Sequence, residues 1–181
     1  LALYGKKTIR FKLAGIQSSN KTFGHRYRKN VGQGLVPCRI PGQPQGLSLQ
    51  SYKKFLLKLG VVLDQDERKE MIRKAVEASG KKAGGKALIS EELLSEVTFL
   101  VENPKVYLGS FKKEFLDIPK EVLITSMKKN QKYFPIVDEK YELLPKFAVT
   151  TNGCANPKVA LGNEKVLSAR LADARFFFEE D

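Results

Sequence analysis

The acidic residues of this chain are confined to one region of it. No aspartate or glutamate occurs before Asp64, whereas twelve lysines and arginines lie between Leu1 and Leu63. From Asp64 to Asp181 the chain carries 20 basic and 20 acidic residues, so the formal net charge of +12 belongs to the first third. Like charges at this density repel one another, and a segment that retains them usually meets a polyanion. Nucleic-acid phosphate is the commonest such partner, and a solvated lysine-rich surface is the alternative.

Length and composition predict a folded chain of modest size. The 181 residues suffice for one domain, with or without an appended lobe, and the 42% hydrophobic content includes eleven Phe for a core. No apolar run approaches the roughly 20 residues of a membrane span. The first residues do not resemble a signal peptide, because their apolar run is interrupted by Lys6, Lys7 and Arg10. Because the chain begins without Met, we expect a single internal domain of a longer protein, with a basic segment at residues 1–63 and a charge-balanced segment at residues 64–181.

The cysteines and the single histidine limit the redox, metal-binding and catalytic chemistry that this chain can support. Cys38 and Cys154 lie far apart without a CxxC motif, which is typical of a reducing, cytoplasmic environment and not of a disulfide framework. His25 is the only histidine in the sequence, so it cannot form a His-based metal site by itself. We therefore expect no metal site here, and no catalytic His, because no partner Ser, Cys or Asp is evident.

Hydrophobic periodicity and the positions of glycine and proline predict a mixture of strands and helices. Strands are expected at 7–16, 22–29 and 105–109, a hairpin at 133–137 and 144–151, and a loop at 31–46. Helices are expected at 51–59, from Asp64 to a break at Gly80, and after Pro119. Another is expected from the N-cap Ser90, with a buried face of Leu93, Leu94, Val97, Leu100 and Val101. The order lacks regular βαβ alternation, which predicts an α+β fold.

Gly80 to Lys86 (GKKAGGK) nearly spells a phosphate-binding P-loop. Ala87 stands where a Ser or Thr would hold magnesium, and the motif follows a helix instead of a strand. We interpret it as a helix C-cap followed by a flexible basic loop.

The first candidate site for nucleic acid surrounds the sequence GHRYRK. It comprises Lys21, His25, Arg26, Arg28 and Lys29. Guanidinium groups fork onto phosphate oxygens, and imidazole can stack or donate to a nucleotide. The alternative for His25 is a hydrogen bond to a backbone carbonyl.

The second candidate site lies at a predicted helix-to-strand junction. Lys128, Lys132 and Tyr133 are expected to contact a phosphate backbone and one stacked base or sugar. The alternative places the adjacent rings of Tyr133 and Phe134 in the core, and strand alternation favours this for one of the two.

The end of the chain predicts a docking helix. Asn163 is expected at its N-cap, and Arg170 pairs with Asp173 three residues on. The apolar residues Leu167, Leu171, Ala174 and Phe178 fall on one face, so capping, ion pairing and aromatic packing account for the pattern.

Five strings in this order resemble one known family, the beta subunit of the bacterial two-subunit glycyl-tRNA synthetase. They are TFGHRY (22–27), LLSEVTFLVENP (93–104), FLDIPKEVLITSMKKNQKYFP (115–135), LLPKFAVTTN (143–152) and GNEKVLSARLADARFFFEED (162–181). QKYF, and GNEKV followed by RLADA and FFF, are the specific ones.

The resemblance implies a role for this chain. The active site for glycine, ATP and magnesium would lie on a separate alpha subunit of an alpha2beta2 enzyme, and these residues would hold no cofactor. The present chain would be a noncatalytic domain that binds tRNA-Gly, with an antiparallel sheet flanked by helices similar to the editing-type domain of the phenylalanyl-tRNA synthetase beta chain. A hydrolytic editing domain and a scaffold for the alpha subunit are the alternatives.

Overall fold

The chain forms two compact units. The computed structural model describes residues 1–4, 7–25, 38–39, 49–153, 156 and 158–180. The N-terminal unit is Leu1–Asp64 and the C-terminal unit is Gln65–Asp181. The acidic residues begin at Asp64, so the boundary between the units lies within one residue of the boundary in charge.

Short strand pairs and one helix make up the described region of the N-terminal unit. The antiparallel pairs are β1 (Leu3–Tyr4) with β2 (Lys7–Thr8), β3 (Lys12–Leu13) with β4 (Ile16–Gln17), and β5 (Lys21–Thr22) with β6 (Cys38–Arg39), and the helix is α1 (Leu49–Lys58). The predicted continuous strand at 7–16 is wrong, because Ala14 and Gly15 have φ of 48° and 80° and turn the chain into a hairpin. Within the predicted loop, Cys38–Arg39 is a strand; the rest of the loop and residues 26–29 lie outside the described residues.

Helix α1 ends as its sequence predicts. Gly60 has a φ of 79°, and its N–H donates to the carbonyl of Leu57. Leu56 is buried on the inner face of α1. The first acidic residue of the chain, Asp64, forms an ion pair with Lys53 of this helix.

The C-terminal unit is an antiparallel sheet with helices, as the α+β prediction requires. Its elements are α2 (Gln65–Lys82), β7 (Lys86–Ala87), α3 (Glu91–Leu100), β8 (Pro104–Ser110), a 3-10 turn (Lys113–Asp117), α4 (Lys120–Thr125) with a π-helical turn (Ser126–Asn130), β9 (Phe134–Val137), β10 (Leu143–Asn152) and α5 (Lys158–Glu180). The strand order is β7-β9-β10-β8 and every pairing is antiparallel. The predicted hairpin of β9 and β10 is confirmed.

Side chains that alternate along β9 and β10 enter two separate cores. Phe134, Ile136 and Ala148 pack with α2 and α3, whereas Val137 and Phe147 pack with α4 and α5. Because helices cover both faces of the sheet, Tyr133 and Phe134 are both buried. The expectation that only one of these two rings enters the core is therefore wrong.

Helix α2 continues through the position where a break was predicted. Gly80 is buried in the helix, and a Cβ at this position would lie 2.6 Å from the backbone nitrogen of Ala87. The glycine thus serves the close approach of β7 to α2 and does not end the helix. The helix ends at Lys82, and Gly84 with a φ of 82° makes the turn.

The termini of α3 and α4 follow their sequence signals. The Oγ of Ser90 accepts a hydrogen bond from the backbone N–H of Leu93 (3.4 Å), which confirms the predicted cap, and Pro119 precedes the first turn of α4. Leu100, however, is exposed, so its predicted burial is wrong. The helix ends there, and Val101 has an extended backbone and is buried in the core as predicted.

Helix α5 begins at Lys158, six residues before the first helical position that an N-cap at Asn163 predicts. Its first N–H groups are satisfied by Asn156, whose Oδ1 accepts from Lys158 N (3.0 Å), so the prediction of Asn163 as the N-cap is wrong. Leu167 and Leu171 are buried as predicted. Phe178 is 50% exposed, and its predicted inward orientation is also wrong.

Candidate nucleic-acid interface

A groove of about 600 Å³ runs along the edge strand β7 of the C-terminal unit. We call it the edge groove. Residues from α2, β7, the π-helical turn and the β9–β10 turn line it: Arg73, Glu77, Lys81, Gly85, Lys86, Ala87, Leu88, Ile89, Lys128 and Tyr141. Four of these side chains are cations and one is a carboxylate, which gives the groove a positive charge.

Helix α2 supplies one wall of the edge groove. Arg73, Glu77 and Lys81 are four residues apart and therefore lie on one helical face. Arg73 Nη2 donates to Glu91 Oε1 at 2.7 Å, which ties α2 to the start of α3. This hydrogen bond raises the pKa of Arg73 and lowers the pKa of Glu91, to which Lys69 also donates. Arg73 is thus held in place by a carboxylate that offsets some of its charge.

Three lysines give the edge groove its uncompensated charge. Within the region of the chain that the structure describes, Lys81, Lys86 and Lys128 form no ion pair. Asp138 and Glu139 line an adjoining recess of about 400 Å³, which Lys81 and Lys86 share. Even with Glu77 inside the groove and Asp138 and Glu139 beside it, the ammonium groups of these three lysines remain available to an anion.

Tyr141 presents an exposed aromatic ring at the edge groove. The side chain is 59% exposed, and the backbone has a φ of 61°. The turn that holds it is fixed by Asp138, whose Oδ1 accepts from the N–H groups of Lys140 (2.8 Å) and Glu142 (2.9 Å). A fixed, exposed ring beside several cations suits a nucleotide, because a base stacks on the ring while phosphates meet the ammonium groups.

The residues predicted around GHRYRK are only partly described. Lys21 is exposed on β5, and Arg26, Arg28 and Lys29 lie outside the described residues. His25 is 1% exposed, and its backbone N–H donates to the carbonyl of Leu59 (2.9 Å). A buried imidazole favours the structural alternative for His25, and its contact with nucleic acid stays a prediction.

The residues predicted at the helix-to-strand junction separate in the structure. Lys128 lines the edge groove, whereas Lys132 forms an ion pair with Glu96 (2.8 Å). Tyr133 is 3% exposed and stacks on Phe147, with ring centroids 4.7 Å apart. Burial raises the pKa of Tyr133 to about 12. Of the three, Lys128 is the one that the structure places at the groove.

The predicted motif of the last helix serves packing in a different way from that expected. Tyr133 Oη donates to Asn163 Oδ1 (2.7 Å), and Asn163 Nδ2 donates to the carbonyl of Val159 (2.7 Å). Asn163 thus joins α5 to the residue that precedes β9. Arg170 and Asp173 form the predicted ion pair, with a long N–O distance of 3.8 Å at the surface.

Sequence reasoning missed most of the edge groove. The spacing of Arg73, Glu77 and Lys81 could have indicated a charged face on α2, but Lys81 and Lys86 were assigned to a flexible loop. Tyr141 lies in a predicted turn, where an aromatic side chain has little chance of burial. The groove itself depends on how α2, β7, the π-helical turn and the β9–β10 turn come together in the fold, which no local pattern contains.

The described residues offer neither a metal cluster nor a membrane-spanning helix. No group of three His, Cys, Asp or Glu among them is placed to hold a metal ion. None of the described helices is long and apolar enough to cross a membrane.

Comparison with known proteins identifies the family. The family model for the glycyl-tRNA synthetase beta subunit matches residues 1–181. The chain is 44% identical over 184 residues to the glycine–tRNA ligase beta subunit of Syntrophomonas wolfei, and 44% identical over 183 residues to that of Clostridioides difficile. Each alignment covers 100% of this chain and 25% of the relative. The chain belongs to the glycyl-tRNA synthetase beta subunit family and spans a quarter of the length of these relatives.

Proposed function

We propose that this chain is a noncatalytic tRNA-binding and structural domain of the beta subunit of a glycine–tRNA ligase. The enzyme would attach glycine to tRNA-Gly with ATP. The names of the relatives support this assignment. The observation that carries the tRNA-binding role is the edge groove, where Lys81, Lys86 and Lys128 surround a surface next to the exposed ring of Tyr141.

The proposal places the chemistry of aminoacylation elsewhere. Glycine, ATP and magnesium would bind to the alpha subunit of a cytoplasmic alpha2beta2 enzyme, and this chain would resemble an editing-type domain without its hydrolytic activity. Two outcomes would favour the alternatives. Hydrolysis of mischarged tRNA by the domain would indicate editing, and loss of alpha-subunit binding without loss of tRNA binding would indicate a scaffold.

The edge groove is tested by removing its three unpaired lysines from the full-length enzyme. Each phosphate contact lowers the slope of log K against log salt by about 0.7 to 0.9. Replacing Lys81, Lys86 and Lys128 with Ala should therefore flatten the slope for tRNA-Gly by about 2 to 3. Fluorescence anisotropy at several salt concentrations measures this slope. Arg73 is left intact because its bond to Glu91 holds α2 and α3 together.

A matched control separates the edge groove from net charge. Lys105, Lys113 and Lys165 are exposed and lie outside the lining of the groove, and their replacement by Ala removes the same charge. We expect the control variant to retain most of the slope. Equal effects of the two triple variants would show that the groove lysines act only through their net charge. If neither variant changed the slope, tRNA binding would lie outside the C-terminal unit.

A further inference from the structure

The last turns of α5 expose three consecutive phenylalanines. Phe176, Phe177 and Phe178 are 56%, 69% and 50% exposed. Successive residues of a helix are rotated by about 100°, so the three rings extend around roughly 200° of the circumference. The rings of Phe176 and Phe177 meet edge to face, with centroids 5.7 Å apart. This end of α5 is therefore apolar in several directions.

One of the phenylalanines, Phe177, lines an open groove of about 590 Å³ in the C-terminal unit. Residues of α4 and its π-helical turn form one side, with Val122 and Thr125, and α5 forms the other, with Ala174 and Phe177. Arg170 and Asp173 also line it. We call this surface, together with Phe176 and Phe178, the α4–α5 surface. Glu121, Ser126 and Asn130 complete the lining, and apolar side chains bordered by polar ones are the composition of a protein-binding site.

We expect another protein segment to bury the α4–α5 surface. Soluble proteins rarely leave contiguous aromatic patches in water, and a helix that is apolar over most of its circumference is usually buried. The core contacts of α5 are made by Leu167 and Leu171, which precede the phenylalanines by at least one turn. Packing of α5 against its own unit therefore does not account for the three aromatic residues.

We propose that an apolar segment from the rest of the same beta chain covers the α4–α5 surface. The chain spans 25% of the length of its relatives, so most of a full-length family member lies outside these residues. A tethered segment has a high effective concentration and needs no separate association step to reach the surface. This inference rests on membership of the family and not on tRNA binding, so it can fail while the proposed function holds.

Site-specific photocross-linking in the full-length enzyme tests the occupant. The photoreactive residue p-benzoylphenylalanine replaces Phe177, and in a control it replaces Lys74, which is exposed on α2. Mixing isotopically light and heavy beta chains before irradiation distinguishes links within one chain from links between copies. We expect links from position 177 to peptides of the same beta chain outside residues 1–181, with a yield several-fold above that from position 74.

Every other outcome overturns the proposal. Links mainly to the alpha subunit would assign the surface to that partner, and links between light and heavy chains would assign it to a second beta copy. A yield no higher than that of the control would show an uncovered surface. With the probe moved to Val122, Phe177→Ser should at least halve the intrachain yield, whereas Phe99→Ser at an exposed site on α3 should leave it unchanged.

Discussion

The two units of this chain differ in how they use charge and apolar surface. The N-terminal unit carries cations without a carboxylate before Asp64, and its described strands are two residues long. The C-terminal unit balances its charges and packs a four-stranded sheet between two helical layers. Strands this short bury little surface, so the regular sheet of the C-terminal unit is where packing stabilises the chain most.

The two units also differ in how their cations are brought together. In the N-terminal unit, the cations are dense in the sequence itself, and our prediction of a polyanion partner there rests on charge density alone. In the C-terminal unit, Lys81, Lys86 and Lys128 come from three elements and meet only after folding. The first kind of site can be predicted from composition, and the second requires the structure.

The largest expected effect is the loss of core packing in the C-terminal unit. Phe147 is fully buried against Tyr133, and its ring lies where a Cβ at position 109 would be, so Gly109 makes room for it. Phe147→Ala should lower the free energy of unfolding by about 3 to 5 kcal/mol. In the 181-residue chain, Phe178→Ala should change it by less than about 0.5 kcal/mol, because the side chain is half exposed. Urea unfolding measures both, and similar losses would mean that the inner and outer faces of this unit are wrongly assigned.

The next prediction sets the two units against each other in tRNA binding. Replacing Lys21, Arg26, Arg28 and Lys29 with Ala should flatten the slope of log K against log salt by about 3 to 4. This exceeds the effect expected for the three lysines of the edge groove. A quadruple variant of Lys74, Lys105, Lys113 and Lys165, all exposed in the C-terminal unit, removes the same charge as a control. An unchanged slope in the first variant would show that its basic cluster is only a solvated surface.

Local signals in the sequence predicted the elements better than their contacts. The Ser90 cap and the hairpin of β9 and β10 were predicted correctly because neighbouring residues determine them. The predictions for Gly80 and Asn163 were wrong because each serves a distant element: Gly80 approaches Ala87 of β7, and Asn163 accepts a hydrogen bond from Tyr133. The edge groove depends on the same kind of long-range contact, which is why Lys128 alone of its lining was among the predicted residues.

Two helical glycines of the C-terminal unit provide a smaller test of this point. Alanine is favoured over glycine in a helix by about 1 kcal/mol. Gly162→Ala should raise the free energy of unfolding by about 0.5 to 1 kcal/mol, because a Cβ there meets nothing within 4 Å. Gly80→Ala should instead destabilise by about 1 to 2 kcal/mol, since the added Cβ would press on the backbone of β7. Thermal unfolding compares them, and stabilisation by both would mean that α2 and β7 are farther apart.

The smallest effect concerns one tyrosine hydroxyl in each unit. Tyr133→Phe removes the hydrogen bond to Asn163 and should cost about 1 kcal/mol near neutral pH. Tyr52→Phe, which removes the contact between Tyr52 Oη and Thr22 Oγ1 in the N-terminal unit, should cost less because its oxygen–oxygen distance of 3.2 Å is longer than the 2.7 Å of the bond between Tyr133 and Asn163. Urea unfolding at neutral pH measures both costs. A larger loss for Tyr52→Phe would reverse the assignment of the tighter packing to the C-terminal unit.

The cost of Tyr133→Phe should also depend on pH with a definite sign. Burial raises the pKa of Tyr133 from its ordinary value of 10 to about 12, so the folded state favours the protonated phenol. The stability that this shift contributes is fully present below pH 10 and is lost as the pH rises from 10 towards 12. The wild-type protein should therefore lose its advantage in unfolding free energy, about 1 kcal/mol, by about pH 11. At that pH the raised pKa of Tyr133 has already lowered the unfolding free energy of the wild type by a similar amount. Both proteins share their lysines and their other tyrosines, so general alkaline destabilisation largely cancels in the difference between their urea-unfolding free energies. An advantage that persisted unchanged to pH 11 would show that the phenol of Tyr133 reaches solvent and that the core between β9 and α5 is less closed than the stacked rings indicate.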